Sequence, residues 1–117
     1  MKFIRSEQSE QVELVDWLEH TYPYALFTAS AGGMRTSIGT AIKMKRAGYR
    51  KGCPDILIFE PRGIYHGLMI ELKREKNAKK SDDQIRWIVE LATRGYKAEF
   101  CFGCENAKSL ISGYLGK

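Results

Sequence analysis

Apolar residues along the chain follow two different periods, one typical of helices and one typical of strands. Between Ser6 and His20 they recur every three or four positions, which predicts an amphipathic helix that begins at Ser6 or Ser9. Three further helices are predicted: one from Thr36 or Ser37 through Arg46, ended by Gly48; one from Ser81 to about Arg94, ended by Gly95; and a last one with Ala107, Leu110, Ile111 and Tyr114 on its apolar face.

Four shorter segments have the pattern of strands instead. Strands are predicted over 24–28, 56–59, 67–70 and 96–102, the last of which alternates between apolar and other residues. The middle two enclose Pro61-Arg62-Gly63, a turn sequence, and therefore form a hairpin. The order helix, strand, helix, two hairpin strands, helix, strand, helix predicts an α/β fold in which helices flank a mixed central sheet.

Candidate chemistry lies at the ends of the two hairpin strands. If the turn centres near Gly63 or Ile64, antiparallel pairing sets Asp55 opposite Glu71 or Lys73. Because side chains alternate between the faces of a strand, Glu71 and Lys73 project on the same side. Two carboxylates and an amine then converge, which is the outline of a metal-dependent phosphodiesterase site. A lone Glu-x-Lys is more often a pair of solvated charges, and the hairpin register is what favours the site.

The composition adds a size and a basic charge. At 117 residues, of which 44% are hydrophobic, the chain is predicted to form one domain over 1–117. It has no signal-peptide core and no apolar stretch of the ~20 residues that a membrane helix needs, so a cytoplasmic protein is expected. The net charge of +5 favours polyanions. Two basic clusters flank the candidate site: Lys43, Lys45, Arg46, Arg50 and Lys51 before it, and Lys73, Arg74, Lys76, Lys79 and Lys80 after it.

The three cysteines do not predict a disulfide framework, because their number is odd. Cys101-x-x-Cys104 suggests zinc, but a zinc site needs four ligands and the chain has no second CxxC. Cys53 and His66 complete such a site only if the fold gathers all four residues. Buried thiols at a strand end are the favoured interpretation, and His66 is interpreted as a turn residue.

Six short motifs occur in an order that is typical of one family: Glu10-Gln11, Gly32-Gly33-Met34-Arg35, Gly52-Cys53-Pro54-Asp55, Tyr65 to Lys73, Gln84-x-x-Trp87 and Gly95-Tyr96. In these motifs, which cover nearly the whole chain, the sequence resembles the virus-type replication-repair nuclease (VRR-NUC) domains of the PD-(D/E)xK nuclease superfamily. The resemblance implies a restriction-endonuclease-like core formed by a single domain.

The resemblance also implies a Mg²⁺ site, in which Mn²⁺ can substitute. Asp55 and Glu71 suit Mg²⁺ by their register and their carboxylate oxygens, and the resemblance adds Glu10 from the first helix and the backbone carbonyl of Leu72. Lys73 is predicted to position the attacking water and to stabilise its developing negative charge. Without the resemblance, Glu10 is equivalent to the other acids of a solvated helix face, which are Glu7, Glu13 and Glu19.

Gln84 has two interpretations. Ser81-x-x-Gln84 is a capping box, in which the Gln84 side chain bonds back to the start of its own helix. The resemblance instead makes Gln84 an active-site residue that contacts the attacking water or the scissile phosphate. The two roles are compatible if the start of the helix faces the site. Trp87, further along the helix, is interpreted as a packing residue.

The motifs together predict a Mg²⁺-dependent endodeoxyribonuclease that acts on branched DNA and is similar to Holliday junction resolvases. A viral or prophage origin in a bacterial host cell fits that resemblance. A nuclease that cuts flaps or RNA is an alternative, as is a module that binds nucleic acid without cutting it, which does not need acids beside a phosphate. The residues predicted to contact DNA are Arg35, Lys43, Lys45, Arg46, Arg50 and Lys51.

A symmetric homodimer is expected, because resolving a junction takes two nicks and one chain of this size has one metal site. Similar single-domain proteins of viral type also dimerise. The candidate interface residues are apolar and interleave with the basic cluster: Met34, Ile38, Ile42 and Met44. Packing of these residues on the sheet is the alternative.

Overall fold

The structure, a computed structural model, describes residues 6–31 and 37–116, in which four helices and four strands are formed. In chain order these are α1 (Glu7–Thr21), β1 (Phe27–Ala29), α2 (Ile38–Arg46), β2 (Ile56–Ile58), β3 (Leu68–Lys73), α3 (Asp82–Thr93), β4 (Lys97–Phe102) and α4 (Cys104–Leu115). The predicted order of elements and the α/β class are confirmed.

The four strands form one mixed sheet in the order β1-β2-β3-β4. The pairs β1–β2 and β2–β3 are antiparallel, whereas β3 and β4 are parallel and are connected through α3. Strand β3 lies inside the sheet, and all six of its residues are buried. Charged groups on β3 are therefore shielded from solvent.

The two faces of the sheet differ in chemistry because side chains alternate along each strand. One face carries fully buried apolar residues, among them Ile56, Ile58 and Ile70, which share a core with side chains of α1 and α4. Burial of one such side chain stabilises the fold by roughly 1.5–3 kcal/mol. Glu71 and Lys73 project from the opposite face, so the apolar core offsets the cost of burying charged groups there.

The hairpin between β2 and β3 has the register that the sequence predicts. Ile56 pairs with Ile70, so one further step sets Asp55 opposite Glu71. The turn closes with two backbone hydrogen bonds between Arg62 and Tyr65, of 3.1 and 2.9 Å. Gly63, at φ +55°, supplies the left-handed conformation that this tight turn needs. Of the two centres considered for the turn, Gly63 is the one confirmed by the register.

Some predicted boundaries change because of local hydrogen bonds. The first strand begins at Phe27 rather than at Tyr24, since the Ala25 N–H donates to the Tyr22 carbonyl at 2.9 Å in a turn after α1. The N-cap of α2 is Ser37, whose Oγ accepts from the Thr40 N–H at 3.2 Å. Thr36, the other candidate cap, lies outside the described residues.

Helix α2 stands apart from the rest of the fold. None of its residues is buried, and within the described part of the chain it packs against no other helix or strand. Ile38 is 83% exposed and Ile42 is 57% exposed, so the alternative that these residues pack on the sheet is wrong. Met44 is partly exposed, and Met34 lies outside the described residues.

None of the helices in the described ranges is long and apolar enough to cross a membrane.

Candidate active site

Two carboxyl groups meet where β2 and β3 end. Asp55, just before β2, and Glu71, on β3, are in hydrogen-bond contact through their side chains. An Asp55 oxygen, Oδ2, also accepts a hydrogen bond from the Leu72 N–H at 2.7 Å, which fixes the orientation of that carboxyl group. Glu71 is only 3% exposed. The two groups are thus held together, with Glu71 inside the protein and Asp55 partly exposed, although carboxylates repel each other.

The environment of Glu71 strongly favours its neutral form. Burial raises the pKa of Glu71, and the charge of Asp55 and their mutual hydrogen bond raise it further, to about 9. Lys73 acts in the opposite direction but does not outweigh these effects. The pair therefore retains a proton near neutral pH. A divalent cation between the two carboxylates would relieve the same repulsion, and in this respect the pair suits a metal ion.

Lys73 and Gln84 complete the polar cluster around Glu71. The buried Lys73 ammonium donates to the Gln84 side-chain oxygen, with Nζ 2.8 Å from Oε1. The Gln84 amide donates in turn to Glu71, with Nε2 3.3 Å from Oε2. These bonds join β3 to the start of α3 in one hydrogen-bond network, in which the bond from the Lys73 ammonium is charge-assisted.

Gln84 has both of its predicted positions at once. The capping box is present, because Gln84 Oε1 accepts from the Ser81 N–H at 3.0 Å and Ser81 Oγ accepts from the Gln84 N–H at 3.1 Å. The same side-chain oxygen accepts from Lys73. The start of α3 therefore faces the two carboxyl groups, and the cap of the helix is also part of the candidate site.

The Leu72 carbonyl is directed toward the Asp55 side of β3. Carbonyls alternate in direction along a strand, and the carbonyls of Gly67 and Lys73 accept bonds on the β4 side, at 2.9 and 2.7 Å. The carbonyl of Leu72 thus lies on the β2 side. By continuation of the register its partner there is Pro54, which has no N–H to donate. The Leu72 carbonyl oxygen therefore lies beside the carboxyl pair, and Pro54 opposite it offers no backbone N–H.

Glu10 occupies a different position from Asp55 and Glu71. Its Oε2 accepts a hydrogen bond from the Cys104 N–H at 2.8 Å, at the start of α4. The N-cap residue of α4 is Gly103, which has no side chain to perform this role, so Glu10 caps α4 from α1. In residues 6–31 and 37–116, no group of three or more His, Cys, Asp or Glu is arranged to hold a metal ion. Glu10 as a third ligand remains a prediction.

Glu7 is the acidic residue that the sequence reasoning passed over. It is the residue of α1 whose charge contributes to raising the pKa of Glu71. Glu7 and Glu10 are three positions apart and so share one side of α1. From this spacing, Glu7 could have been predicted together with Glu10 as a residue near the carboxyl pair.

The predicted DNA-contacting residues lie on α2 and on the segment that connects it to β2. Lys43, Lys45 and Arg46 are exposed on α2. The Arg50 guanidinium donates to the carbonyls of Lys45 and Tyr49, at 3.1 and 3.3 Å. The loop between α2 and β2 also approaches α3 closely, because a Cβ at Gly52 would lie 2.6 Å from the Asp83 backbone. Arg35 lies outside the described residues, and so do Gly32 and Gly33.

Cys101, Cys104 and His66 contribute no side chain to the cluster of Asp55, Glu71, Lys73 and Gln84. Cys101 and Cys104 are buried and unpaired, and burial raises the pKa of each thiol to about 12. Both therefore stay protonated, as the interpretation as buried thiols requires. The ring of His66 lies against Gly95 and Tyr96, beyond the opposite end of β3 from Lys73.

Comparison with known proteins gives matches of two kinds. A family model described as the VRR-NUC domain matches residues 5–104. A solved structure titled "VRR_NUC domain protein" is 30% identical, with a TM-score of 0.82, over 98% of this chain and 91% of that chain. Another, titled "VRR_NUC domain", has 20% identity and a TM-score of 0.57 over 90% of this chain and 97% of that chain, and is similar in fold. A search of curated proteins gives no match.

Proposed function

Because the chain belongs to the VRR-NUC family, a nuclease family, we propose that it is a Mg²⁺-dependent endodeoxyribonuclease that cuts branched DNA in the manner of a Holliday junction resolvase. The observation that carries the proposal is the contact of the half-buried Asp55 with the buried Glu71, with the buried Lys73 on the same strand as Glu71. Burial of an acid and a lysine beside a second acid is costly for a fold, and a catalytic site is the usual reason for it.

The chemistry of the donor set fits Mg²⁺. The ligands would be the carboxylates of Asp55 and Glu71 and the carbonyl of Leu72, all oxygen donors of the kind that Mg²⁺ prefers. Glu10, whose Oε2 accepts from the Cys104 N–H, would join them through its other carboxylate oxygen. The chemistry supplied by bound Mg²⁺ is Lewis-acid stabilisation of charge on the phosphoryl oxygens and activation of water.

Within this proposal the protein's own groups orient the reaction. Lys73, held at its ammonium by Gln84 Oε1, positions the attacking water and stabilises the negative charge that develops on it. Gln84 in turn fixes both Lys73 and Glu71, so its role is to keep the two charged groups in place. Asp55 is kept in orientation by the Leu72 N–H.

The proposed substrate and assembly follow from charge and symmetry. The net charge of +5 and the basic α2 favour a nucleic acid, and the proposed place of action is the cytoplasm of a bacterial host cell, with a viral or prophage origin. A homodimer through the exposed Ile38 and Ile42 would supply two sites for the two nicks of a junction.

The experiment that tests the proposal is cleavage of labelled four-way junction, flap, duplex and single-stranded DNA, and of RNA, with Mg²⁺ and with EDTA. We expect Mg²⁺-dependent cutting that is fastest on the junction. Asp55→Ala, Glu71→Ala and Lys73→Ala should each lower the rate by at least about 10²-fold while DNA affinity remains. Substantial Mg²⁺-dependent cutting by Glu71→Ala would defeat the assignment, and preferential cutting of flaps or RNA would replace the proposed substrate.

A matched pair of variants separates the two roles of Gln84. Ser81→Ala removes the hydroxyl that caps α3 but leaves the Lys73–Gln84 bond. It should cost about 1 kcal/mol of stability with little loss of cleavage. Gln84→Ala removes the bond from the Ser81 N–H to Gln84 Oε1 and the bonds to Lys73 and Glu71, so both stability and cleavage should fall. Equal cleavage by the two variants would limit Gln84 to capping.

A further inference from the structure

Trp87 is a large aromatic residue that has little part in the packing of the fold. It is half-buried on α3 and does not belong to the hydrophobic core cluster of the described residues. Its indole N–H donates to the Lys51 carbonyl at 3.0 Å, which holds the ring against the loop between α2 and β2. Packing in the hydrophobic core therefore does not explain the position of Trp87.

The Trp87 ring lies between two cavities. The first, of about 450 Å³, has a second aromatic wall formed by Tyr49, which is 54% exposed. The second, of about 600 Å³, is lined by five basic side chains and two acids. The basic residues are Lys45, Arg50, Lys51, Arg86 and Arg94. Arg50 and Trp87 line both cavities, so an aromatic cavity and a basic one adjoin.

Both cavities lie beside the candidate active site. Cys53 lines the first and is two residues before Asp55. Asp83 lines the second and directly precedes Gln84, which bonds both Lys73 and Glu71. Since Cys53 is close enough to Asp55 and Glu71 for their charges to raise the pKa of its thiol, a strand of nucleic acid that occupies the two cavities would lie near the carboxyl pair.

We infer that the two cavities bind an unpaired nucleotide next to the cut, with its base on Trp87 and its phosphates on Arg50, Lys51 and Arg86. This inference rests on the proposed function and makes it more specific. A single strand supplies the flat base and the row of phosphates that an aromatic cavity beside a basic one can bind. Aromatic rings in a basic groove are the usual platform for unpaired bases. In a four-way junction, the base beside the cut would then have to leave its pair at the branch point in order to occupy this site.

Trp fluorescence tests this inference without any cleavage. The chain has two tryptophans, Trp17 and Trp87, so Trp17→Phe leaves Trp87 as the reporter. In EDTA, saturation with an oligothymidylate should quench the emission strongly, whereas a duplex of equal length should quench it little. If Trp17→Phe does not fold, the difference between the wild-type protein and Trp87→Phe gives the same signal.

Substitutions test which groups make the contacts. Trp87→Leu should weaken single-strand binding by about fivefold or more and leave duplex binding unchanged, whereas Trp87→Phe, which keeps a ring, should retain most of the affinity. Arg86→Ala should lower the salt dependence of single-strand binding by about 0.7 in log–log slope. Lys108→Ala is the matched control, because it removes the same charge from α4, where Lys108 pairs with Glu13 and Glu105.

Two results would overturn the inference. One is the absence of quenching when anisotropy shows that the protein is saturated with the oligothymidylate. The other is an equal loss of single-strand and duplex affinity in Trp87→Leu. Because the titrations are made in EDTA, they are independent of the proposed nuclease activity. Quenching without cleavage would reject the proposed function and retain this binding site. Cleavage without quenching would retain the proposed function and reject this binding site.

Discussion

At the scale of single residues, the candidate site depends on Glu71, whose carboxyl group stays neutral at a pH at which the same group in water is ionised. Glu71 is buried beside Asp55, and its pKa is raised to about 9 by burial and by that neighbour. The pairing could be predicted from the sequence, because it depends only on the register of a short hairpin. The position of Glu10 could not, because it depends on how α1 docks against α4, at the other end of the chain.

A pH-dependent stability follows from Glu71 in the metal-free protein. The unfolded carboxyl group loses its proton near pH 4.5 and the folded one near pH 9. Between these values the folded state binds more protons, so the free energy of unfolding should fall as the pH rises. Glu71→Gln cannot ionise and should show a flatter dependence in urea titrations at a series of pH values in EDTA. The exposed Glu19→Gln is the control, and an equal slope in all three proteins would contradict the expectation.

At the scale of elements, α2 shows which features a sequence specifies locally. Its start could be predicted to within one residue, at Thr36 or Ser37, and its end at Gly48, because the cap bond of Ser37 and the left-handed φ of +106° at Gly48 are local properties. Whether its apolar residues are buried depends on the rest of the fold, and Ile38 and Ile42 are exposed. The strand β1 is a similar case, since its start is set by a turn and by pairing with β2.

The exposed basic residues of α2 should act as phosphate contacts without sequence preference. Replacement of Lys43, Lys45 and Arg46 by alanine keeps the helical propensity of α2 and removes three charges. The affinity for all DNA sequences should fall alike, and the salt dependence should decrease by about 0.9 in slope for each lost duplex phosphate contact. Anisotropy titrations in EDTA over a range of salt concentrations measure both quantities.

The matched control for this triple variant exchanges the charges instead of removing them. Lys43→Arg, Lys45→Arg and Arg46→Lys together retain every positive charge, so affinity and slope should be close to those of the wild-type protein. If the alanine variant binds as tightly and with the same slope as this control, the DNA does not follow α2.

At the scale of the whole molecule, the chain has one carboxyl pair on one face of a four-stranded sheet and an apolar surface on a helix that packs against no other element in the described ranges. The pairing of β2 with β3 could be predicted, since a short turn connects these two strands. The interface between two chains could not be derived from these patterns, because the fold has to be known before the exposed apolar residues can be identified.

The proposed homodimer should be detected by light scattering. At micromolar concentration we expect a particle of twice 13.4 kDa, with or without junction DNA. Ile38→Glu with Ile42→Glu places charges on the exposed side of α2 and should give a monomer that keeps its fold, because neither residue is buried. A 13.4 kDa particle in the wild-type protein that does not change on addition of junction DNA would rule out the dimer.

The hairpin and the capped start of α3 are continuous in sequence, and this has a consequence for the route of folding. Asp55, Glu71, Lys73 and Gln84 all lie within residues 55–84, so closing the loops between them costs little chain entropy. Local units of this kind tend to form early, whereas α1 must dock across the length of the chain. We expect substitutions in the hairpin to slow folding and those on α1 mainly to accelerate unfolding. Residues 55–84, which contain the candidate active-site residues, would then also form the folding nucleus of the protein.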